Sequence, residues 1–561
     1  MKSSSSHRMR RRSVRNGLFV CSLLAAIGSL PVLADNGQSN NGPTVSTSEG
    51  PVRGFTKNGA NVFLGIPYAA PPVGELRWRP PQPARRWSGL RDATQYASTC
   101  PQVTELGAFA GPTSINEDCL YLNVFTTGSG RAGQKKPVIV WIHGGGNVDG
   151  ESDDYDGSKL ATGGPLGTPT VVVTVNYRLG LFGVLSEQHL NAEGHLWGNY
   201  GILDQQAALK WVKRNIAAFG GDPSNVTLGG QSAGAWNTSA NMISPLAKGL
   251  FHRAIIQSFP ASTWTTATTA LQHGNAFAAA AGCSNAACLR KLSAARILQL
   301  QGTPNASNGS FSNNILIDGT IIPLQPRDAW GSGAYNKMPI LSGSTRDEEN
   351  FDLSGREYFS GSPQVAWTAA QYESSNSAAV KNEYPLSNYG NNPALAQNRI
   401  GTDSQYGGGK CVFLKMFKLM AQTNTFPLYT YDFTYQNAPY YFPQMPNAAS
   451  PTQHFQPLAA HTIDIQFLFP GYHGGQLGVN LDQVTGQPRE IQGQEIALSD
   501  QLVAAWTNFA KSGNPNGSGN SPWPKFTANG GKFLKQDVPL SLLSEEDYRN
   551  YYHCGFWDTQ H

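Results

Sequence analysis

Apolar runs alternate with amphipathic segments along most of this 561-residue chain. Residues 137–142 and 170–175 are almost continuously apolar, which is typical of strands buried on both faces of a parallel sheet. Shorter apolar or β-branched runs predict further strands at 120–125, 226–228, 251–257, 339–343 and 428–433.

Two segments have the periodicity of amphipathic helices. In residues 203–219, Leu209, Val212 and Ile216 recur at helical spacing, and residues 495–510 follow the same pattern. Strands that alternate with helices predict an α/β fold, in which helices cover a parallel sheet. Residues 54–81, rich in Pro and Gly, predict an extended edge, and 352–425 predict mixed helix and loop that cap a site.

The N-terminus has the pattern of a secretory signal peptide. The first 15 residues carry six Lys or Arg and no acid, and residues 18–33 are mostly apolar. Small residues before Asp35 predict cleavage after Ala34, which gives a signal peptide at 1–34. The apolar run is short and interrupted, which disfavours a membrane anchor. A polar leader at 35–43 and one domain at 44–557 follow, so a secreted or periplasmic protein without a membrane span is expected.

Charge excludes one class of partner. The chain has 41 Lys and Arg against 37 Asp and Glu, a formal net charge of +4. Without the six positive charges of the signal peptide, 35 bases face 37 acids, a net charge of −2. No basic stripe remains, so nucleic-acid binding is not expected.

Six cysteines follow the predicted cleavage site. An even number in an exported chain predicts three disulfides, and the alternative is free buried thiols. No Cys-x-x-Cys pair favours a zinc or redox site. Fifteen pairings are possible in principle. Proximity in sequence suggests Cys100–Cys119, Cys283–Cys288 and Cys411–Cys554.

A Gly-x-Ser-x-Gly motif follows the predicted strand at 226–228. It comprises Gly230, Gln231, Ser232, Ala233 and Gly234, and small residues continue it as the start of a helix. A nucleophilic serine needs a sharp strand-to-helix turn, and glycines on either side remove Cβ atoms that would collide there. The N–H of Ala233, at a helix N-terminus, can then face an oxyanion. The alternative is an ordinary strand–turn–helix corner.

A second glycine-rich motif directly follows the predicted strand at 137–142. His143-Gly144-Gly145-Gly146 lies some ninety residues before the serine motif. Consecutive glycines leave N–H groups free to point at a ligand oxygen. This pairing of motifs favours acyl transfer at a serine, and His143 itself is expected to be structural.

A serine nucleophile also requires an acid and a base, which follow it in the order acid, then histidine, in hydrolases of this type. Asp347, Glu348 and Glu349 come shortly after the predicted strand at 339–343, and any of them fits the acid. His461 is the preferred base because it follows a late strand and a loop. The other candidates are His454, His473, His553 and His561.

At this level of detail the chain resembles the type-B carboxylesterase/lipase family, which includes the cholinesterases. The resemblance covers roughly residues 45–557. Its motifs are Phe63-Leu-Gly-Ile-Pro-Tyr-Ala-x-Pro-Pro, Glu117-Asp-Cys-Leu-Tyr-Leu-Asn-Val, Trp141-Ile-His-Gly-Gly-Gly, Asn176-Tyr-Arg-Leu-Gly, Phe219-Gly-Gly-Asp-Pro, Gly230-Gln-Ser-Ala-Gly, Trp506-x-Asn-Phe-Ala-Lys-x-Gly-Asn-Pro and Phe556-Trp-Asp.

The resemblance implies an α/β-hydrolase fold, with a large, mostly parallel sheet and helical or loop insertions over the site. It implies Ser232 as nucleophile, Glu348 as acid and His461 as base. The matching oxyanion donors are Gly145, Gly146 and Ala233. The matching disulfides are Cys100–Cys119, Cys283–Cys288 and Cys411–Cys554.

The sequence departs from the family pattern at several positions. Gln231 replaces the usual Glu before the serine, and Glu349 replaces a common Gly after the acid. Phe259-Pro260 replaces a frequent Gly and is expected to reshape the pocket wall. The loop between Cys100 and Cys119 has no Trp and only Phe109 as an aromatic, which argues against choline esters.

The predicted function is hydrolysis of small to medium hydrophobic esters through an acyl-serine, without a metal or cofactor. Activity is expected to fall below about pH 6–7, where histidine is protonated. One alternative is a lipase of long-chain esters. Another is an esterase of aromatic acids, of the feruloyl or phthalate type, which Trp236 and Trp264 permit. The alternative of another class is a non-catalytic binding or adhesion protein on the same fold.

Overall fold

An eleven-stranded sheet forms the centre of the computed structural model. The structure describes residues 42–103, 111–128, 135–258, 263–301, 315–351, 368–405, 408–441, 456–475 and 478–560. In chain order the strands are β1 (Phe55–Lys57), β2 (Ala60–Pro67), β3 (Tyr121–Thr126), β4 (Lys136–Ile142), β5 (Val171–Val175), β6 (Gly221–Gln231), β7 (Arg253–Gln257), β8 (Ile340–Thr345), β9 (Leu428–Phe433), β10 (Lys532–Gln536) and β11 (Ser541–Ser544).

The strand order across the sheet is β1-β2-β3-β5-β4-β6-β7-β8-β9-β10-β11. All pairs from β5 through β10 are parallel. The pairs at the two edges are antiparallel. The prediction of a large, mostly parallel sheet is therefore confirmed.

Helices cover both faces of the sheet. Those of eight or more residues in the described segments are α1 (Tyr200–Asn215), α2 (Ala233–Ile243), α3 (Ala267–Ala280), α4 (Ala294–Gln301), α5 (Pro393–Asp403), α6 (Lys410–Thr423) and α7 (Gln494–Ser512). Shorter helices are Ser158–Thr162, Gly180–Gly183, Gln188–Asn191, Ala286–Lys291, Pro326–Ser332, Ala369–Ser375, Ala378–Glu383, Glu545–Tyr551 and Cys554–Trp557.

Strand β4 shows why the central strands are apolar throughout. Val138, Val140 and Ile142 belong to one buried cluster, whereas Ile139 and Trp141 belong to another. Successive side chains of a strand point to opposite faces, so the two clusters lie on the two sides of the sheet. Both faces of β4 are therefore core.

The parallel strands bring three predicted site segments to one edge of the sheet. Gly230 near the end of β6 pairs with Ile142, the last residue of β4. Strand β8 also runs parallel to β7, which pairs with β6. The segments that follow β4, β6 and β8 therefore emerge at the same carboxyl-terminal edge, where ligands of open α/β sheets bind.

Several element boundaries differ from those predicted. The strands predicted from residues 251 and 339 begin at Arg253 and Ile340, and the helix predicted from 203 begins at Tyr200. Strands β10 and β11 and helix α3 were not predicted. Strands β10 and β11 pair with each other at the edge of the sheet, and α3 packs into a third buried cluster through Phe277 and Ala278.

Residues 368–405 and 408–425 form helices and loops without strands. Helix α6 packs into the main core through Phe413, Phe417 and Met420, so this part is not separate from the body of the protein. Residues 352–367, where a cap was also predicted, lie outside the described residues, as do the predicted signal peptide and leader up to residue 41.

Three disulfides join Cys100 to Cys119, Cys283 to Cys288 and Cys411 to Cys554. These are the pairs that proximity in the sequence suggests. Among the described residues, no helix combines the length and apolar character that crossing a bilayer requires.

Candidate active site

Ser232 lies on the sharp turn between β6 and α2. Its backbone has φ 57° and ψ −125°, a strained combination for a residue with a side chain. Close packing explains the two flanking glycines. A Cβ at Gly230 would lie 2.5 Å from the carbonyl carbon of Gly234, and one at Gly234 would lie 2.0 Å from the carbonyl oxygen of Ile142. The turn therefore requires glycine at both positions.

The glycine loop after β4 lies directly beside this turn. A Cβ at Gly144 would be 3.2 Å from the Cβ of Ser232. Gly145 and Gly146 have positive φ angles of 96° and 62°, which glycine adopts without strain. The carbonyl of Gly145 accepts hydrogen bonds from the N–H groups of Val148 and Asp149, which close the loop into a turn.

Polar side chains hold this loop against α2. Asn147 accepts a 2.8 Å hydrogen bond from Asn237 of α2, and the Tyr177 hydroxyl donates to the carbonyl of His143. Within the described segments, no backbone carbonyl accepts from the N–H groups of Gly145 or Gly146. The N–H of Ala233, at the first position of α2, has no partner within its own helix. The three expected oxyanion donors thus lie near Ser232.

His143 is buried beside the glycine loop. Its ring stacks on Tyr177 with centroids 4.5 Å apart, and its Nδ1 contacts the carbonyl of Gly144 at 2.8 Å. Burial lowers the pKa of His143 to about 4. These contacts agree with the structural role expected from the sequence.

His461 is the described histidine that lies in the same cavity as Ser232. His461 comes after β9 in the chain. The hydroxyl of Tyr440 donates a hydrogen bond to the backbone carbonyl of His461 at 3.0 Å. His473 instead contacts the carbonyl of Gly475, and His553 contacts Glu383. His454 and His561, the other two candidates, lie outside the described residues.

Among the three consecutive acids after β8, Glu348 is the one that contacts His461. Its Oε2 lies 2.5 Å from Nδ1 of His461. Asp347 turns away and accepts from the N–H of Ala459, and the backbone N–H of Glu349 donates to Thr402. The geometry therefore distinguishes Glu348 from Asp347 and Glu349 as the partner of His461, whereas the sequence pattern alone leaves the three acids equivalent.

Charged and hydrogen-bonding neighbours keep the buried Glu348 ionised. Burial alone would raise the pKa of Glu348, but the adjacent His461 and then Lys410 lower it below its ordinary value. The other oxygen, Oε1, accepts hydrogen bonds from Ser258 at 2.6 Å and from the N–H of Thr345 at 2.8 Å. Each of these contacts favours the carboxylate.

A second buried network joins the segment that contains His461 and Asp464 to the turn that carries Ser232. The carbonyl of Gln257 accepts from the N–H of Ser232 at 3.0 Å, and its side-chain amide donates to Asp464 at 3.0 Å. Trp506 donates to the amide oxygen of Gln257, and Tyr431 donates to Asp464. Burial, and then the nearby Glu348, raise the pKa of Asp464 to about 6.

Sequence reasoning did not identify Ser258, Gln257 or Asp464 as part of the site. Asp464 lies three residues after His461, a spacing that is compatible with a shared turn. Gln257 ends β7 and Ser258 follows it, and β7 lies next to β6. This position beside the serine turn is the other signal that could have indicated their place in the site.

One cavity of about 240 Å³ is lined by Ser232, Glu348 and His461 together with the glycine loop 144–146. Aromatic side chains form much of its wall. Tyr155 and Tyr472 pack with ring centroids 5.1 Å apart, and Phe351 packs against His461 at 5.4 Å. Trp236 also lines the cavity, whereas Trp264 belongs to the main core.

Acidic residues form another part of the wall. Glu151 and Asp154 line the cavity, with Asp153 beside them in sequence. Burial, and then Glu151 and the other nearby carboxylates, raise the pKa of Asp154 well above its ordinary value. Burial and then Glu151 raise the pKa of Asp153 to about 8. Protonation of these carboxyls therefore extends toward neutral pH.

Among the described residues, Ser232 and His461 share no hydrogen bond. Nε2 of His461 instead lies 3.2 Å from the side-chain nitrogen of Gln231. Catalytic hydrogen bonds are often long without substrate, so this arrangement does not exclude proton transfer between the two side chains.

Comparisons with known proteins agree with this architecture. The family model described as "Carboxylesterase family" matches residues 41–557. A medium-chain fatty acyl-CoA hydrolase precursor of Anas platyrhynchos is 35% identical over 544 residues, with 90% of each chain covered. The para-nitrobenzyl esterase of Bacillus subtilis (strain 168) is 34% identical over 523 residues, covering 90% of this chain and 96% of the relative.

A solved structure of a PNB esterase superposes with a TM-score of 0.69 at 30% sequence identity, covering 91% of this chain and 99% of that chain. Fold and site thus define an α/β hydrolase. The chain belongs to the carboxylesterase family and is a carboxylic ester hydrolase.

Proposed function

We propose that the protein hydrolyses small to medium hydrophobic esters through an acyl-serine intermediate at Ser232. The observation that carries this proposal is the 2.5 Å contact of His461 with Glu348 in the cavity that also exposes Ser232. A base, a group that orients it and a nucleophile in one cavity are the parts that acyl transfer requires.

His461 acts as the base. The carboxylate of Glu348 accepts a hydrogen bond from the N–H of Nδ1, so the ring proton stays on Nδ1 and Nε2 can accept a proton. As the hydroxyl of Ser232 attacks the ester carbonyl, its proton passes to Nε2, and the alcohol then leaves with that proton. Water repeats the sequence, which releases the acid and restores Ser232.

The N–H groups of Gly145, Gly146 and Ala233 stabilise the oxyanion that forms in each step. The loop turn and the helix start fix these donors before the substrate arrives. Preorganised donors are effective because no reorganisation is needed during the reaction, and each contributes about 3 kcal/mol.

The cavity supports a preference for short acyl chains or aromatic groups. Its volume of about 240 Å³ is small for a ligand pocket. The aromatic wall of Tyr155, Tyr472, Phe351 and Trp236 favours flat apolar groups, which keeps aromatic-acid esters as a second candidate substrate class.

We also propose that the protein is exported, with cleavage after Ala34. The basic, then apolar, then small-residue pattern of the first 34 residues supports this, and so do the three disulfides. N-terminal sequencing of the exported protein should begin at Asp35. A start at Met1 would contradict the proposal.

Hydrolysis of p-nitrophenyl esters from acetate to palmitate, together with p-nitrophenyl benzoate, tests the substrate class. We expect the highest kcat/KM for short chains or the benzoate, and no hydrolysis by Ser232→Ala. An optimum at palmitate would contradict the proposed substrate size. Equal rates for both proteins would contradict the role of Ser232.

A further inference from the structure

The side-chain amide of Gln231 contacts the ring of His461, the proposed base. Its nitrogen lies 3.2 Å from Nε2 and 3.5 Å from Nδ1. Because these distances are nearly equal, the amide nitrogen lies over the ring and not along the lone pair of either nitrogen. The N–H groups therefore face the ring itself.

Packing fixes the amide in this place. Gln231 is 1% exposed and ends strand β6, next to the serine turn. A Cβ on Gly144 would lie 3.2 Å from the amide oxygen of Gln231, so the glycine loop bounds the amide on the side of that oxygen. The amide thus restricts the position of the imidazole.

The charge near the ring comes from other elements. Glu348, after β8, contacts Nδ1 of His461. Asp464, three residues after His461, interacts electrostatically with both Glu348 and His461. The positive charge of Lys410, on α6, lowers the pKa of Glu348. The hydroxyl of Tyr440 binds the backbone of His461 and adds no charge. Gln231 is the neutral polar group that contacts the ring from β6.

We propose that Gln231 is a positioning residue that holds the imidazole of His461 and keeps negative charge off its face, so that esterase activity extends to lower pH. The inference rests on the proposed function, in which neutral His461 is the base. A carboxylate in the same place would favour protonation of the ring, whereas the neutral amide adds no charge.

The test compares two substitutions of nearly equal shape. Gln231→Glu adds a negative charge, and Gln231→Met keeps the side chain neutral but removes the donor. The pH dependence of kcat/KM is measured on p-nitrophenyl acetate for both variants and the wild type. Gln188→Glu, at an exposed position on a short surface helix, controls for the added charge.

On the acid side of the profile, kcat/KM falls as the pH decreases. We expect Gln231→Glu to raise the pH of this fall, the acid limb, by roughly one unit, which is the effect of an opposite charge at this distance. The introduced carboxyl group and the imidazole of His461 would share one proton. Whichever of them carries it, the pair binds the proton at a higher pH than the imidazole does beside the amide. We expect Gln231→Met to leave the limb in place and to lower kcat several-fold with little change in KM, because the ring is less well held.

Two results would overturn the inference. One is an acid limb that Gln231→Glu leaves unchanged, and the other is an equal shift in Gln231→Met or Gln188→Glu. Labelling of Ser232 by a fluorophosphonate in the same samples separates this failure from failure of the proposed function. If Ser232 is labelled in the active wild type and the acid limb of Gln231→Glu stays at the wild-type pH, only the role of Gln231 is refuted.

Discussion

The cavity has a serine end, formed by Ser232 and its turn, and a base end, formed by His461 and Glu348. Different kinds of interaction hold the two ends in place. At the serine end, backbone packing fixes Ser232, because Gly230 and Gly234 allow β6, α2 and the end of β4 to approach closely. At the base end, side-chain hydrogen bonds join Glu348 and His461 across 113 residues of sequence. Substitutions should therefore act by steric collision at the first end and by loss of charge or hydrogen bonds at the second.

The largest effect is expected at the base end. In Glu348→Gln, the amide would donate to Nδ1 of His461, which places the ring proton on Nε2 and prevents that nitrogen from accepting the Ser232 proton. We expect kcat/KM to fall by roughly 10⁴-fold with little change in folding. Steady-state kinetics and circular dichroism measure both.

Glu349→Gln is the matched control, because Glu349 also lines the cavity and is adjacent in sequence. It should lose far less activity than Glu348→Gln. If the two losses were equal, the assignment of Glu348 as the acid would be wrong.

A steric change should break the serine end. Gly234→Ala would place a Cβ 2.0 Å from the carbonyl oxygen of Ile142, which is backbone and cannot move freely. We expect kcat/KM to fall about 100-fold or more, because the glycine loop after β4 is displaced from Ser232. The free energy of unfolding, from urea titration, should fall by about 1–3 kcal/mol.

Gly89→Ala is the control for that change, since an added Cβ at Gly89 meets no atom within 4 Å. Its activity and stability should match the wild type. Full activity in Gly234→Ala would show that the turn tolerates a side chain and would remove the distinction between the two ends.

Ser258 offers a smaller test of the base end. Its hydroxyl donates to Oε1 of Glu348 at 2.6 Å, while the N–H of Thr345 retains its own bond. We expect Ser258→Ala to lower kcat roughly tenfold, as loss of one hydrogen bond to a charged group implies.

Ser342→Ala controls for loss of a buried hydroxyl, because Ser342 donates to the carbonyl of Ile256 and not to Glu348. It should affect stability without a comparable loss of kcat. An equal fall in kcat in both variants would mean that the contact with Glu348 has no specific role.

The smallest expected effect concerns stability. The pKa of Asp464 is about 6 in the folded protein, above its ordinary value of 3.8, so the folded state binds this proton more tightly than the unfolded state. Stability from this group is therefore full below pH 4 and is lost as pH rises through 6. The loss is at most about 3 kcal/mol.

Asp464→Asn should remove this part of the pH dependence. In urea titrations, its unfolding free energy relative to the wild type should increase between pH 4 and pH 7. A constant difference across that range would contradict the account of Asp464.

The serine end could be predicted from the sequence because its determinants are local. A strand, two glycines and a helix start lie within a few residues of Ser232, and the glycine loop directly follows another apolar strand. Such patterns depend on backbone sterics, which sequence records well.

The base end could be predicted only in part. Three consecutive acids after β8 are equivalent as a pattern, and the turn decides that Asp347 faces Ala459 while Glu348 faces His461. The bond of Gln257 to Asp464 spans 207 residues of sequence, so no local pattern reveals it. The same holds for Ser258, whose partner comes from another strand.

Labelling with a fluorophosphonate, followed by peptide mass spectrometry, tests the central claim most directly. We expect one labelled peptide, modified at Ser232, from the wild type and from the exposed-site control Ser224→Ala, with hydrolysis lost in proportion to labelling. Ser232→Ala should remain unlabelled. Labelling of another serine, or hydrolysis that persists when Ser232 is fully labelled, would contradict the account.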